Sequence, residues 1–167
     1  IFAAAPGVYR QMLKTALPAL PDLRHGLSAG EALSPVIAAA WRRETGTDVH
    51  QALGMSECST FISGNPDRPA PDGAIGYPQP GRKVAVLSPG GAVLPAGTPG
   101  TLAIHRSDPG LMLGYLHAPA LTAARYQGDW FVTGDQVMQA ADGAVHYLGR
   151  DDDMMNPGGF RVSPLEV

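Results

Sequence analysis

"LRHGLSAGEALSPVIAAAWRRETGTDVHQALGM", residues 23 to 55, decides how this chain folds. "LRHGLSAG" reads as a short strand running into a glycine turn. "SPVIAAAWRRETG" reads as a helix, with Ser34 as N-cap, Pro35 at the first helical position and Gly46 just past the last turn. "DVHQALGM" reads as a second strand. Strand, turn, helix and strand in that order make a βαβ unit, whose usual outcome is a parallel sheet.

Upstream, residues 7 to 17 place Val8, Met12, Leu13 and Ala16 at helical spacing, and Pro18 ends that helix. Downstream the character changes at about Asn65. "NPDRPAPDGAIGYPQPG" holds five prolines in seventeen residues and reads as a connector. Beyond it "KVAVLS", "GTLAIHR", "DWFVTG" and "AVHYLG" are short β-type segments separated by glycine- or proline-bearing turns, the pattern of a β unit built from hairpins. The chain therefore reads as an α/β piece followed by a β piece.

Composition narrows the function classes. With 44% hydrophobic and 16% charged residues the chain is a folded protein, and a net charge of -3 offers no basic footprint for nucleic acid. The one cysteine, Cys58, excludes an internal disulfide framework and points to a reducing, cytoplasmic setting. No apolar run reaches the roughly 20 residues of a membrane span, and the opening lacks a signal-peptide pattern. A start at Ile1 and an abrupt end lead us to expect a piece of a longer protein.

Several turns carry candidate chemistry. Ser28, Ala29, Gly30 and Glu31 follow a strand, where ligands of open α/β sheets lie; on local evidence alone a plain strand-to-helix turn, with Glu31 near a helix start, is the commoner reading. Gly54, Ser56 and Glu57 follow the next strand, and Glu57 offers a hard oxygen ligand for Mg²⁺. Cys58 reads as a packing residue. Asp135, after Thr133 and Gly134, could accept both hydroxyls of a ribose, or simply its own turn backbone. Arg150 supplies a planar fork of donors, and the three acids after it read as a solvated turn. The five histidines show no pair at metal-ligand spacing, so no zinc site is expected.

Taken in order, these segments resemble the AMP-forming acyl-CoA synthetases and related adenylating enzymes, benzoate- and 4-coumarate-CoA ligases among them. "SAGEAL" resembles the family's adenine-side turn, and "LGMSE" its "YGxTE" motif. "GAIGYPQPG" is similar to "GSVGxPxPG", and "GTLAIHRSDPGLMLGYL" to "GELxVRGxxxxxGY". "GDWFVTGDQVMQAADGAVHYLGRDDD" resembles "GWxxTGDxxxxDxDGxxxxxGRxDD", and "GGFRVSPLEV" resembles "SGxRxxPxEVE". Together they cover most of the chain from residue 24 onward.

The resemblance implies a fold and an activity. The fold would be a partial parallel-sheet α/β subdomain over residues 1–80, a small β-rich, distorted barrel-like subdomain over 81–150, and a hinge with the start of a C-terminal lid over 151–167. The activity would join a carboxylic acid to ATP as an acyl-adenylate, releasing pyrophosphate, and then pass the acyl group to coenzyme A. Ala29, Gly30, Glu31, Leu53 and Gly54 would line the adenine side, Ser56 would contact phosphate and Glu57 would hold Mg²⁺. Asp135 would bind the ribose with support from Arg150. Asp152 would be the hinge, Gly158 and Gly159 the loop beside the thiol channel, and Arg161 a phosphate contact.

Two positions depart from the pattern: Leu53 stands where an aromatic ring is common, and Asn156 where a lysine is frequent. The family's phosphate-gripping loop and its lid lysine do not occur in these residues. The expectations are therefore an inactive piece of a ligase for an aryl or medium-chain acid, self-association through a cut sheet, and residues 152 to 167 poorly ordered or packed in a non-family position. An adenylation domain serving a carrier protein and a non-catalytic AMP-binding module are the alternatives.

Overall fold

The parallel arrangement predicted for residues 23 to 55 is the centre of the first sheet. The structure, a computed structural model, describes residues 1–151. Strand β1 (Phe2–Ala4), helix α1 (Pro6–Met12), β2 (Gly26–Ser28), α2 (Pro35–Thr45) and β3 (Val49–Met55) come first, and β1, β2 and β3 pair in parallel. Helix α2 begins and ends as its sequence dictates. Ser34 is extended, Pro35 opens the helix, and Gly46 takes φ +73°, giving its N–H to the Arg42 carbonyl at 2.8 Å. Helix α1 is shorter than expected, ending at Met12 rather than residue 17, and Leu13 to Thr15 continue only as turns.

Ile37 and Trp41, one helical turn apart, bury against Tyr9 and Leu33. The Tyr9 ring meets Trp41 edge-on at 4.8 Å, and its hydroxyl donates to the carbonyls of Phe2 and Leu27. That phenol thus ties α1 to two strands, and burial pushes its pKa up to about 12.

After β3 the chain reverses into β4 (Ser59–Ser63), antiparallel to it, and β5 (Tyr77–Pro78) completes the order β1-β2-β3-β4-β5. The remaining elements are β6 (Val84–Leu87), β7 (Pro99–His105), α3 (Pro119–Ala124), β8 (Tyr126–Gln127), β9 (Trp130–Gln139) and β10 (Val145–Arg150). They form a curled antiparallel sheet of order β10-β9-β7-β6, with β8 pairing β9. On β9, alternate residues Phe131, Thr133, Asp135 and Val137 are buried, the period of two expected of a one-sided strand.

The two sheets share a core. Phe61 and Ile62 of β4 pack with Val86, Leu102, Ile104, Val137 and Val145 of the second sheet, and Cys58 joins them. Hydrogen bonds cross the seam from Ile75 N–H to the Val145 carbonyl and from Val145 N–H to the Gly76 carbonyl. Gly76 sits at φ +148°, and a Cβ there would lie 2.1 Å from the Ser63 carbonyl carbon, so glycine is required. Asp152, Asn156, Gly158, Gly159 and Arg161, with the expectation for residues 152 to 167, lie outside the described residues.

Candidate active site

Strand ends, seam and β10 enclose a cleft of about 580 Å³. Gly30 and Glu31 after β2 form one side, and Gln51 to Met55 of β3 form the floor. Gly73, Ala74 and Ile75 of the connector close a third side, and Asp135, Tyr147, Gly149 and Arg150 face them from the second sheet. The cleft therefore opens at the carboxyl ends of parallel strands, where such sheets place ligands.

Each wall has a local cause. Gly54 is the point where the β3–β4 register slips, and a Cβ there would lie 2.7 Å from the Ser59 carbonyl oxygen. Only a bare backbone fits this approach. Gln51 is held by its side-chain oxygen, which accepts the Leu33 N–H at 3.2 Å. On the opposite wall, the β9–β10 register shifts between Tyr147 and Gly149, a bulge at Leu148. The bulge lets both Tyr147 and Arg150 reach the cleft, although strict alternation would send them to opposite faces.

Asp135 and Arg150 are paired across the two strands. The guanidinium Nη1 donates to Asp135 Oδ1 at 2.9 Å, with both side chains nearly buried. Gly134, at φ +82°, leaves room for that guanidinium. Thr133 braces the segment, donating to the Leu102 carbonyl and accepting the Asp135 N–H. The result is an apolar cleft with one buried, oriented carboxylate at its edge and one aromatic ring, Tyr147, among its described lining residues.

Of the sequence-predicted residues, Gly30, Glu31, Leu53, Gly54, Asp135 and Arg150 meet in this cleft; Ala29 is half-buried beside it and does not line it. Ser56 and Glu57 stand just beyond, in the β3–β4 turn. Ser56 is exposed there, while Glu57 accepts a hydrogen bond from the Tyr115 hydroxyl at 2.7 Å. Cys58 is buried in the shared core, and burial raises its thiol to about 11, as a packing residue requires. Sequence reasoning missed Tyr147, Gln51 and the Gly73–Ile75 wall. The connector's resemblance to "GSVGxPxPG" is the signal that could have found the last. No cluster of three metal-ligating side chains occurs among the described residues.

The comparisons with known proteins agree with this geometry. The family model described as AMP-binding enzyme matches residues 1–116. Acyl-coenzyme A synthetase ACSM3, mitochondrial, of Mus musculus is 32% identical over 173 residues, covering 100% of this chain and 30% of its own length. The mitochondrial ACSM5 of the same organism is 35% identical over 148 residues, covering 87% of this chain and 26% of its own. The chain thus spans about a third or less of the relatives it matches. Among solved structures, the anthranilate CoA ligase AuaEII in complex with anthranoyl-AMP superposes with a TM-score of 0.77 at 33% identity, covering 99% of this chain and 32% of that one. A benzoate CoA ligase from Burkholderia xenovorans LB400 superposes with a TM-score of 0.75 at 30% identity, over 99% of this chain and 33% of that one. Because these curated relatives are mitochondrial proteins, the cytoplasmic expectation drawn from one cysteine is overturned: a reducing interior is not peculiar to the cytoplasm. On the family model and the matched relatives together, this chain belongs to the AMP-binding enzymes.

Proposed function

We propose that these residues form the adenosine-binding part of an acid–thiol ligase, which activates a carboxylic acid with ATP and passes the acyl group to coenzyme A. The observation that carries this reading is the cleft itself, apolar between Leu53, Ile75 and Tyr147 and closed by the Asp135–Arg150 pair. A purine fits between apolar walls, and the ribose hydroxyls are donors suited to a buried carboxylate. Arg150 fixes that carboxylate in direction. The named relatives act on aryl acids in two cases, which favours an aryl acid here.

Glu57 fits a divalent cation. One of its carboxylate oxygens accepts from Tyr115, and the other takes no hydrogen bond among the described residues, leaving one hard donor beside the exposed Ser56. A Mg²⁺ bound there would offset charge on the α-phosphate. Glu57 would hold it, Ser56 would orient phosphate, and Gly30, Glu31, Leu53 and Gly54 would hold the base against water.

Among the described residues the cation lining the cleft is Arg150, which is engaged with Asp135. The expectation under this proposal is that the 167 residues bind AMP without releasing pyrophosphate from ATP, which a pyrophosphate-release assay reads. Self-association belongs to the same reading, since β1 ends the first sheet and Ile1, Val8 and Val36 nearby are exposed; sedimentation velocity reads it. Calorimetric titration with AMP tests the core of the proposal. Saturable binding that is lost in Asp135→Ala is expected, and absence of AMP binding in the unaltered chain refutes it.

A further inference from the structure

Glu57 lies in a tight turn with an exposed neighbour on the chain, a poor place to fix a long carboxylate. The turn is nevertheless held at three points by residues far along the sequence. Met112 N–H donates to the Glu57 carbonyl at 2.6 Å, Arg82 donates to the Cys58 carbonyl at 2.9 Å, and the Tyr115 hydroxyl donates to Glu57 Oε1 at 2.7 Å. Two of these hold backbone; the phenol alone holds the carboxylate.

The phenol is itself braced. Tyr115 N–H donates to Thr122 Oγ1 at 2.9 Å, and the Thr122 hydroxyl donates to the Ala118 carbonyl, so the loop leans on the first turn of α3. Gly114 at φ +156° passes the Thr122 side chain at a distance where a Cβ would be tight, at 3.2 Å.

We propose that Tyr115 is the positioning residue for Glu57: by holding Oε1 it leaves Oε2 as a protein oxygen for the divalent cation that accompanies the nucleotide. The inference rests on the reading of Glu57 as that cation's ligand. A carboxylate pinned at one oxygen presents the other in one direction, and partners that orient a ligand in this way set metal affinity. Freezing a free glutamate costs side-chain entropy, and the hydrogen bond from the phenol restricts this one before the cation arrives.

The test uses Mn²⁺ as the probe, its free ion counted by electron paramagnetic resonance, with this chain, ATP, and the variants Tyr115→Phe, Glu57→Gln and the two combined. Tyr115→Phe is expected to weaken Mn²⁺ binding about tenfold, with AMP affinity in the absence of metal changing by less than about twofold. Phenylalanine keeps the ring, and a thermal melt confirms the fold. The double variant should be no worse than Glu57→Gln alone, because the phenol acts through the carboxylate. Mn²⁺ affinity in Tyr115→Phe equal to the unaltered chain's, with Glu57→Gln impaired, overturns the inference alone. Glu57→Gln indistinguishable from the unaltered chain overturns the ligand reading and the inference with it. Additive losses in the double variant show a separate structural effect and also overturn it.

Discussion

Asp108 is a residue whose removal should cost this fold heavily. Its side chain is fully buried and its partner Arg82 is 10% exposed. Arg82 Nε lies 3.0 Å from Oδ1 and 3.2 Å from Oδ2, while Oδ2 also accepts Lys83 N–H at 2.6 Å and Oδ1 accepts Gly110 N–H at 2.8 Å. Asp108→Ala therefore strands a buried guanidinium and two backbone donors together. Breaking one side of a buried ion pair costs about 3–5 kcal/mol, a large share of the roughly 5–15 kcal/mol that stabilises a domain. The guanidinium is largely shut off from water, sitting under Gly110 and bonding to the Cys58 carbonyl.

Urea denaturation followed by tryptophan fluorescence measures the loss, since Trp41 packs on the first sheet and Trp130 on the second, so the summed emission follows both. We expect a drop of about 3 kcal/mol or more for Asp108→Ala. Arg82→Met with Asp108→Leu, which removes both charges, should recover part of it, because a buried pair is worth little against apolar residues of similar volume. A loss below about 1 kcal/mol for Asp108→Ala would refute the reasoning, since that is the scale of an exposed pair.

Three further outcomes follow from particular side chains. Tyr147→Ala should weaken AMP binding by about 1–3 kcal/mol, the scale of one base–aromatic stack, while Tyr147→Phe retains it; calorimetry reads both. Asp135→Asn should erase the preference for AMP over its 2′,3′-dideoxy analogue, as measured by competition. His25 and His50 meet edge-on at 5.5 Å, and burial, foremost, lowers both pKa values. The unfolded chain, with histidine near 6.5, then binds more protons than the native one. Stability should therefore be full above about pH 6.5 and fall as pH drops through the native pKa values. Urea midpoints between pH 5 and 8 check this, and the slope should flatten in His25→Asn with His50→Gln.

The βαβ unit was legible because every signal in it is local. Pro35 and Gly46 bound the helix, and Ile37 and Trp41 mark its buried face one turn apart. The β-rich half was legible through alternation, as in Phe131, Thr133, Asp135 and Val137. What escaped notice depends on distant partners. β1 is three residues long and exists because Phe2 to Ala4 pair with Gly26 to Ser28. β4 follows a turn without glycine, and Ser59, its first residue, adopts φ +58° where a glycine would be the usual signal of the reversal. Tyr147 and Arg150 share the cleft through a bulge that no composition rule marks, and Tyr115 finds Glu57 from 58 positions away.

The cleft belongs to neither sheet, and this determines how it can be perturbed. Its floor is β3, its far wall is β10, and between them β4 sends Phe61 and Ile62, both fully buried, into the core that Val137 and Val145 build from the other side. Val145 is two residues from Tyr147 on β10, and Ile62 is the direct β4 partner of Leu53, so a side chain shortened at either position lies next to a cleft wall. Interiors this close-packed transmit such a change to their walls instead of absorbing it. The seam hydrogen bonds between Ile75, Gly76 and Val145 carry the same displacement to the third wall. Core substitutions at the seam should therefore act on nucleotide affinity as well as on stability. Those under α2, which pack on Tyr9 and Trp41 away from the cleft, should act on stability alone.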